Sequence, residues 1–418
     1  MSMIAAVAMA SSVQAECKQG VYGSAADFVV IVPLASDPQT LRYQFLDGRR
    51  GYTSDPDAPL TCAHDGAVEM GRGDGQTERW SAMPMTATDT TFSSVQTQLV
   101  GRLIEPAGGS DRERPLVVMV HGSERTSALD SPYAYALAAQ GITVFVYDKR
   151  GTGGSEGEYT QNFELLAADA ASALAHGRTM ARGRFGRAGF FGGSQGGWVA
   201  PLAATRSEAD FVAVGFGLVA SPIEEDREQM FSEARALGLG DEAIELLTRL
   251  SNATAKLVLT DFEEGYDELA KVRRALATHS WSQHIRGEYS GDMLRMSEDE
   301  LRRLGRPRFD NVELIWDYDS IAVLERLEAP LLWVLAEDDR EAPIDTTRSA
   351  LMGLIRKGKP FDVYVFPDTD HGMMEYATNA DGSRKYTRIT EGYLRLLGDW
   401  IKGESAAAYG RGRRLGGE

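Results

Sequence analysis

The run Ala188-Gly189-Phe190-Phe191-Gly192-Gly193-Ser194-Gln195-Gly196-Gly197 decides the fold. Its first four residues read as a buried strand and Gln195 to Arg206 reads as a helix, so the glycines between them must turn the chain sharply. The turn fits G-x-S-x-G. A serine at its apex is held in a constrained backbone with its hydroxyl clear of the sheet edge, and side chains at the flanking positions would strike the neighbouring strand or helix. In a chain with 44 glycines the pattern arises readily by chance, and the strand-turn-helix context is what gives it weight.

Outward from this turn the chain alternates between apolar strands and helical stretches. Leu116–Val120, Ile142–Tyr147 and Phe211–Val219 read as strands, with helices over Ser131–Gln140 and Asn162–Met180. After an interruption the rhythm resumes with the strand Leu331–Leu335, a helix over Pro343–Lys357, the strand Phe361–Phe366 and a helix near Arg388–Ile401. Continuous apolar strands imply a mostly parallel sheet covered on both faces, an α/β architecture.

A serine hydroxyl is a weak nucleophile at neutral pH and needs a base, which a histidine supplies when a carboxylate fixes its tautomer. Of six histidines, His371 follows the strand Phe361–Phe366 through Pro367-Asp368-Thr369-Asp370 and precedes Gly372, the placement of a base on a loop above the sheet edge. His279 and His284, five apart, share no metal-binding face, and His64 and His176 lack chemical neighbours. The strand Leu331–Leu335 runs into Ala336-Glu337-Asp338-Asp339-Arg340-Glu341-Ala342-Pro343, so Asp338 and Asp339 both stand where an acid points into the crevice at the strand ends.

These features together resemble the α/β-hydrolase superfamily, in its lidded serine esterase and aminopeptidase-like branch. Beyond the G-x-S-x-G turn, the chain order Ser194, Asp, His371 is the one such proteins require, and His121-Gly122 after a buried strand is similar to their oxyanion loop. Asp148-Lys149-Arg150-Gly151-Thr152-Gly153-Gly154-Ser155 resembles their D-x-R-G-x-G-x-S segment. Asp339-Arg340-Glu341-Ala342-Pro343 resembles D-x-x-V-P, a spacing that favours Asp339 over Asp338. The resemblance implies an α/β-hydrolase fold with Ser194, Asp339 and His371 as catalytic residues. It also implies an oxyanion hole made by the backbone N–H groups of Gln195 and Ser123, with His121 and the 148–155 turn as supports.

The resemblance covers residues 101–221 and 327–402, which are expected to form the core. Residues 1–15, an apolar stretch ending in Val13-Gln14-Ala15, read as a signal peptide, so the expected location is periplasmic or secreted, with a cytoplasmic protein as the alternative. Residues 20–100 read as a small antiparallel β region, with Arg72-Gly73-Asp74 as a turn. Cys17 and Cys62 either pair in an oxidising compartment or remain unrelated thiols. Residues 222–326 read as a helical lid insertion carrying 23 acidic against 14 basic residues, its aromatics mostly forming its own core and a minority lining a pocket. The Gly/Arg-rich residues 403–418 read as a disordered tail.

The 418 residues are 43% hydrophobic and carry a net charge of −17. That excludes fibrous and disordered classes, and the negative field disfavours nucleic acid and anionic lipid as partners. No apolar run is long enough to span a bilayer. Gly151-Thr152-Gly153-Gly154 has Glu156 where a dinucleotide fingerprint needs glycine, and Gly353–Lys359 is followed by Pro360 instead of the Ser/Thr of a phosphate loop. No cofactor and no metal are expected. The function expected first is hydrolysis of small-molecule carboxylic esters through an acyl-serine intermediate, a carboxylesterase-type activity of class EC 3.1.1. A peptidase is the alternative, with acids of Glu224-Glu225-Asp226 holding a substrate amine or merely opening a helix; thioester hydrolysis and a noncatalytic binding scaffold follow. Oligomeric state is not readable.

Overall fold

In the strand Leu116–Val120, Leu116, Val118 and Val120 join one apolar cluster while Val117 and Met119 join another, and all five are buried. Side chains alternate across a strand, so a strand buried throughout must have packed layers on both faces. The computed structural model describes residues 16–71, 76–108, 113–310 and 312–416. The expected signal peptide and the Arg72-Gly73-Asp74 turn lie outside the described residues.

Among the described residues a 9-stranded sheet forms the centre. Its order is Arg413–Leu415, Phe361–Phe366, Leu331–Ala336, Val212–Gly215, Ala188–Gly193, Leu116–Val120, Thr143–Tyr147, Thr97–Pro106 and Met85–Ser94. The strands from Phe361–Phe366 to Thr143–Tyr147 run parallel, and the outer ones are antiparallel. Helices Phe163–Met180 and Gly196–Ala204 cover one face, and Pro132–Ala139 and Tyr393–Lys402 cover the other. This is the α/β-hydrolase fold.

Four boundaries differ from the sequence reading. The region drawn as 20–100 ends inside the sheet, because Met85–Ser94 and Thr97–Pro106 form a hairpin that pairs onto Thr143–Tyr147. Period-two alternation marks a strand without saying which sheet it joins. The tail is ordered through residue 416: Arg413–Leu415 adds to the edge strand Phe361–Phe366, Tyr409 is buried, and Arg413 and Arg414 pair with Glu337 and Asp362. Composition alone hid the carboxylates waiting on the sheet edge. The final helix begins at Tyr393 after an unexpected strand, Arg384–Ile389, which pairs with Met374–Thr378. Phe211–Val219 shortens to Val212–Gly215, because Phe216 turns the chain at φ 44°.

The N-terminal part forms a 4-stranded and a 3-stranded antiparallel sheet around Tyr22, Ile31, Phe45 and Val68. Cys17 and Cys62 are joined by a disulfide. Residues 222–326 hold six α-helices and one short 3-10 helix among the described residues, and they close on their own apolar cluster, including Leu247, Leu250, Leu269 and Met293. Phe262, Tyr266 and Tyr289 belong to that cluster, as the aromatic content suggested, whereas Tyr318 joins the central core. No helix among the described residues is long and apolar enough to cross a membrane.

Candidate active site

The glycine-rich turn after Ala188–Gly193 places Ser194 at φ 52°, a left-handed backbone that costs a non-glycine residue about 1–3 kcal/mol. Two glycines make the turn possible. A Cβ on Gly192 would lie 2.4 Å from the Gly196 carbonyl oxygen, and one on Gly196 would lie 2.5 Å from that of Val120. The Ser194 N–H donates to the Gly215 carbonyl at 3.1 Å, and its carbonyl accepts from the Gly197 N–H at 2.7 Å. The turn is therefore fixed by backbone, and the hydroxyl is free to project.

Ser194 Oγ lies 3.1 Å from His371 Nε2, and His371 Nδ1 lies 3.0 Å from Asp339 Oδ2. Asp339 is buried, and its Oδ1 also accepts the N–H groups of Glu341 at 3.1 Å and Ala342 at 2.7 Å. Burial raises the Asp339 carboxyl above its usual range, against the opposing pull of His371. Burial acts to lower the His371 imidazole, but the hydrogen bond and charge of Asp339, with Glu341 and Asp370 behind it, outweigh this and raise it to about 9. The ring of Phe216 packs edge-on against His371 at 5.2 Å, which limits how the imidazole can swing.

Asp338, the other acid considered, faces away: its Oδ2 accepts from Tyr376 Oη at 2.9 Å. Asp370, which the sequence reading passed over, positions both loops. Its Oδ1 accepts the N–H groups of Arg340 at 3.0 Å and His371 at 2.8 Å, while Arg384 and Tyr386 engage its Oδ2 at 2.5 and 2.9 Å. The unexpected hairpin Met374–Ile389 thus ties the acid loop to the histidine loop.

The N–H groups of Gln195 and Ser123 form no hydrogen bond with another described residue. Gly122 lies close enough to the elbow that a Cβ there would come within 3.3 Å of Ser194 Cβ. Supports converge on this loop. His121 is partly buried, which lowers its imidazole, and its Nε2 accepts the Lys149 N–H at 3.3 Å, leaving the Nδ1 proton to face Glu124. Lys149 Nζ donates to the Gly122 carbonyl at 2.6 Å, and Tyr159 Oη to that of Ser123 at 2.7 Å. The 148–155 turn is a brace: Asp148 accepts from Ser127, Ala128 and Gly154, and Arg150 forks onto buried Asp169 with two bonds of 2.7 Å.

A cavity of about 270 Å³ opens at Ser194. One wall is Trp198, Phe216 and Leu218 from the core; the other comes from the 222–326 segment, with Tyr289, Phe309 and Trp316. Three carboxylates, Glu225, Glu288 and Glu341, border it. Burial and the negative neighbours Glu288 and Glu341 push the Glu225 carboxyl well above its usual range, and burial followed by Glu341 raises Glu288. Of the Glu224-Glu225-Asp226 acids, only Glu225 reaches the cavity. Glu224 closes a capping box with Ser221, and Asp226 is buried, accepting the N–H groups of Tyr289 and Ser290 at 2.9 Å each. Gln229 donates to both Glu288 and the Glu341 carbonyl, joining the insertion to the acid loop. Glu341 was in view inside the D-x-x-A-P run, whereas nothing in the sequence distinguished Glu288 or Gln229.

The family model described as serine aminopeptidase, S33, matches residues 111–374, which holds the elbow, both loops and the insertion. The chain belongs to that family of α/β-hydrolases. Among curated proteins, no sequence match is found. Of solved structures, the acylaminoacyl peptidase of Pyrococcus horikoshii is similar with a TM-score of 0.43 at 14% identity, over 80% of this chain and 44% of that one. This S33-family chain thus spans less than half of that peptidase. An esterase of Pyrococcus furiosus gives 0.44 at 13% identity over 69% and 84% of the two chains. The bacterial brefeldin A esterase gives 0.43 at 17% over 69% and 70%. Among the described residues no group of three or more His, Cys, Asp or Glu side chains is arranged to hold a metal ion.

Proposed function

We propose that the protein is a serine hydrolase that cleaves carboxylic esters of small molecules through an acyl-Ser194 intermediate. The observation that carries this is the relay from Ser194 Oγ to His371 Nε2 at 3.1 Å and from His371 Nδ1 to Asp339 at 3.0 Å. Ser194 Oγ attacks the ester carbonyl as His371 Nε2 takes its proton, and Asp339 stabilises the resulting imidazolium. The carbonyl oxygen, now negative, is met by the free N–H groups of Gln195 and Ser123, each worth about 3 kcal/mol in the transition state. His371 then gives its proton to the departing alkoxide. In the second half it takes a proton from water, which attacks the acyl-enzyme, and it returns that proton to Ser194 Oγ as the acyl–oxygen bond breaks and the acid leaves.

The insertion 222–326 acts as a lid. Supporting this, it supplies one wall of the Ser194 cavity and is joined to the acid loop through Gln229. Its apolar side chains choose the acyl or alcohol part by shape, while the chemistry rests with the sheet. The Cys17–Cys62 disulfide supports an exported, periplasmic or secreted protein, since such bonds persist in oxidising compartments.

A second reading, an aminopeptidase, is favoured by one observation: Glu225, Glu288 and Glu341 border the cavity, and among the described residues neither Glu225 nor Glu288 forms an ion pair with a basic residue, while Glu341 lies 3.7 Å from His371 Nε2. Carboxylates held that close are relieved by a substrate ammonium group. Labelling by a fluorophosphonate tests the shared reaction, and its failure would point to a noncatalytic scaffold. Paired assays with p-nitrophenyl esters and aminoacyl anilides separate the readings: turnover of esters with none of anilides supports the esterase, and the reverse replaces it with the peptidase.

A further inference from the structure

A larger cavity, of about 570 Å³, lies beyond the loop that carries Ser123, between the N-terminal strands and the start of helix Pro132–Ala139. Arg42 and Gln44 stand two apart on the strand Asp37–Phe45, so their side chains leave the same face, and Arg50 is the register partner of Gln44 on the adjoining strand. All three border the cavity. Gln44 is 5% exposed, and its Nε2 has no hydrogen-bond partner; the Nε of Arg42 is likewise buried and unpaired. Arg42 makes one bond of 3.4 Å to the Asp130 carbonyl, and Arg50 reaches the sulfur of Met374 at 3.3 Å. Neither arginine forms an ion pair with another described residue.

Buried donors are normally paired, and leaving them open is costly. Here burial and the charge of Arg50 both destabilise the Arg42 guanidinium. Two carboxylates, Asp55 and Glu124, line the same cavity and have partners of their own. Asp55 accepts the Tyr52 N–H at 2.8 Å, and Glu124 is held by His121 and Lys149, which keep its pKa at about 2. Arg42, Gln44 and Arg50 together offer an anion two guanidinium groups and two unpaired N–H donors on one wall of the cavity. The volume exceeds what a bare inorganic ion fills, and Pro132, Tyr133 and Tyr52 give it an apolar and aromatic wall.

We propose that this cavity is a binding site for a small aromatic carboxylate, its two oxygens taken by Arg42, Gln44 and Arg50 and its ring set against Pro132 and Tyr133. The site is separate from the Ser194 cavity, whose lining carries Glu225, Glu288 and Glu341 together with Arg125 and Arg308. It does not depend on which bond Ser194 cleaves.

Isothermal titration of the full chain with benzoate, benzamide and inorganic phosphate tests it. Benzoate is expected to bind with one-to-one stoichiometry at millimolar or tighter affinity, with benzamide and phosphate at least about tenfold weaker. Gln44→Glu, nearly isosteric, brings its own carboxylate to the two arginines and is expected to weaken benzoate about tenfold or more, as is Arg50→Ala at the exposed rim. Absence of benzoate binding to the unaltered chain overturns the proposal, whatever the variants do. So does equal binding of benzamide, which would mean that only the ring is recognised. Preference for phosphate over benzoate, or benzoate affinity unchanged in both variants, overturns it too.

Discussion

The central sheet and the helical insertion meet at one cavity but are built on opposite plans. On the sheet side, Ser194, Asp339 and His371 each stand just past the end of a parallel strand, and hydrogen bonds to or from the backbone hold them: the Gly215 carbonyl on Ser194, the Ala342 N–H on Asp339, and the Asp370 carboxylate on the His371 N–H. The insertion closes on its own apolar core and offers the cavity side chains from helix starts and loops, among them Glu225, Glu288 and Trp316. A reaction needs atoms fixed to a fraction of an ångström, which strand ends provide. Selection needs a surface that can vary without disturbing them, and in the function proposed above the separately packed module provides it.

The sharpest break in this comparison is at the elbow. Ser194→Ala is expected to lower kcat toward a p-nitrophenyl ester by about 10,000-fold or more while the thermal unfolding midpoint stays within about 2 °C. The backbone carries the turn, and the hydroxyl carries only the chemistry. Activity within tenfold of the unaltered protein would remove Ser194 from the mechanism.

Next comes the acid. Asp339→Asn is expected to cost about 1,000- to 10,000-fold in kcat, because the amide no longer holds the imidazole tautomer, and Asp338→Asn less than about tenfold. Comparable losses from the two variants would mean that the strand end does not discriminate between neighbouring carboxylates.

The pH profile probes where the two regions touch. Only neutral His371 can accept the Ser194 proton, and its pKa stands at about 9, so kcat/KM should climb with pH from neutrality up to about 9. Glu341 lies 3.7 Å from His371 Nε2 and favours the imidazolium, so Glu341→Gln should move the rising limb toward lower pH. Because the folded pKa lies above the unfolded value, stability contributed by His371 is fully present below about 6.5 and is lost as pH rises through about 9. A limb at the ordinary histidine position in both proteins would show that the surrounding carboxylates do not act on it.

The smallest effect is expected on the insertion side. Glu225→Gln with Glu288→Gln should change the ratio of kcat/KM between amine-bearing and neutral esters by about tenfold, in favour of the neutral ones, with fluorophosphonate labelling of Ser194 little altered. An unchanged ratio would assign selection to the core wall of Trp198, Phe216 and Leu218.

What could be read from the residues alone is whatever local backbone chemistry dictates. The order of Ser194, Asp339 and His371 is read through a family resemblance, whereas the G-x-S-x-G turn, the strands around it and the helical character of 222–326 rest on glycine requirements, hydrophobic period and short-range spacing. Those are properties of neighbours along the chain. Only the tertiary structure showed that Met374–Thr378 and Arg384–Ile389 form a hairpin bracing both loops through Asp370. Only there did Met85–Ser94 and Arg413–Leu415 join the central sheet, and Glu225, Glu288 and Glu341 gather at Ser194. These are contacts between residues tens to hundreds of positions apart, set by which edges and charges the folded layers bring face to face. The choice between Asp338 and Asp339 shows the divide. Spacing resembling a family motif favoured Asp339, but the direction of each carboxylate, one to His371 and the other to Tyr376, depends on a loop held by a residue 30 positions further along the chain.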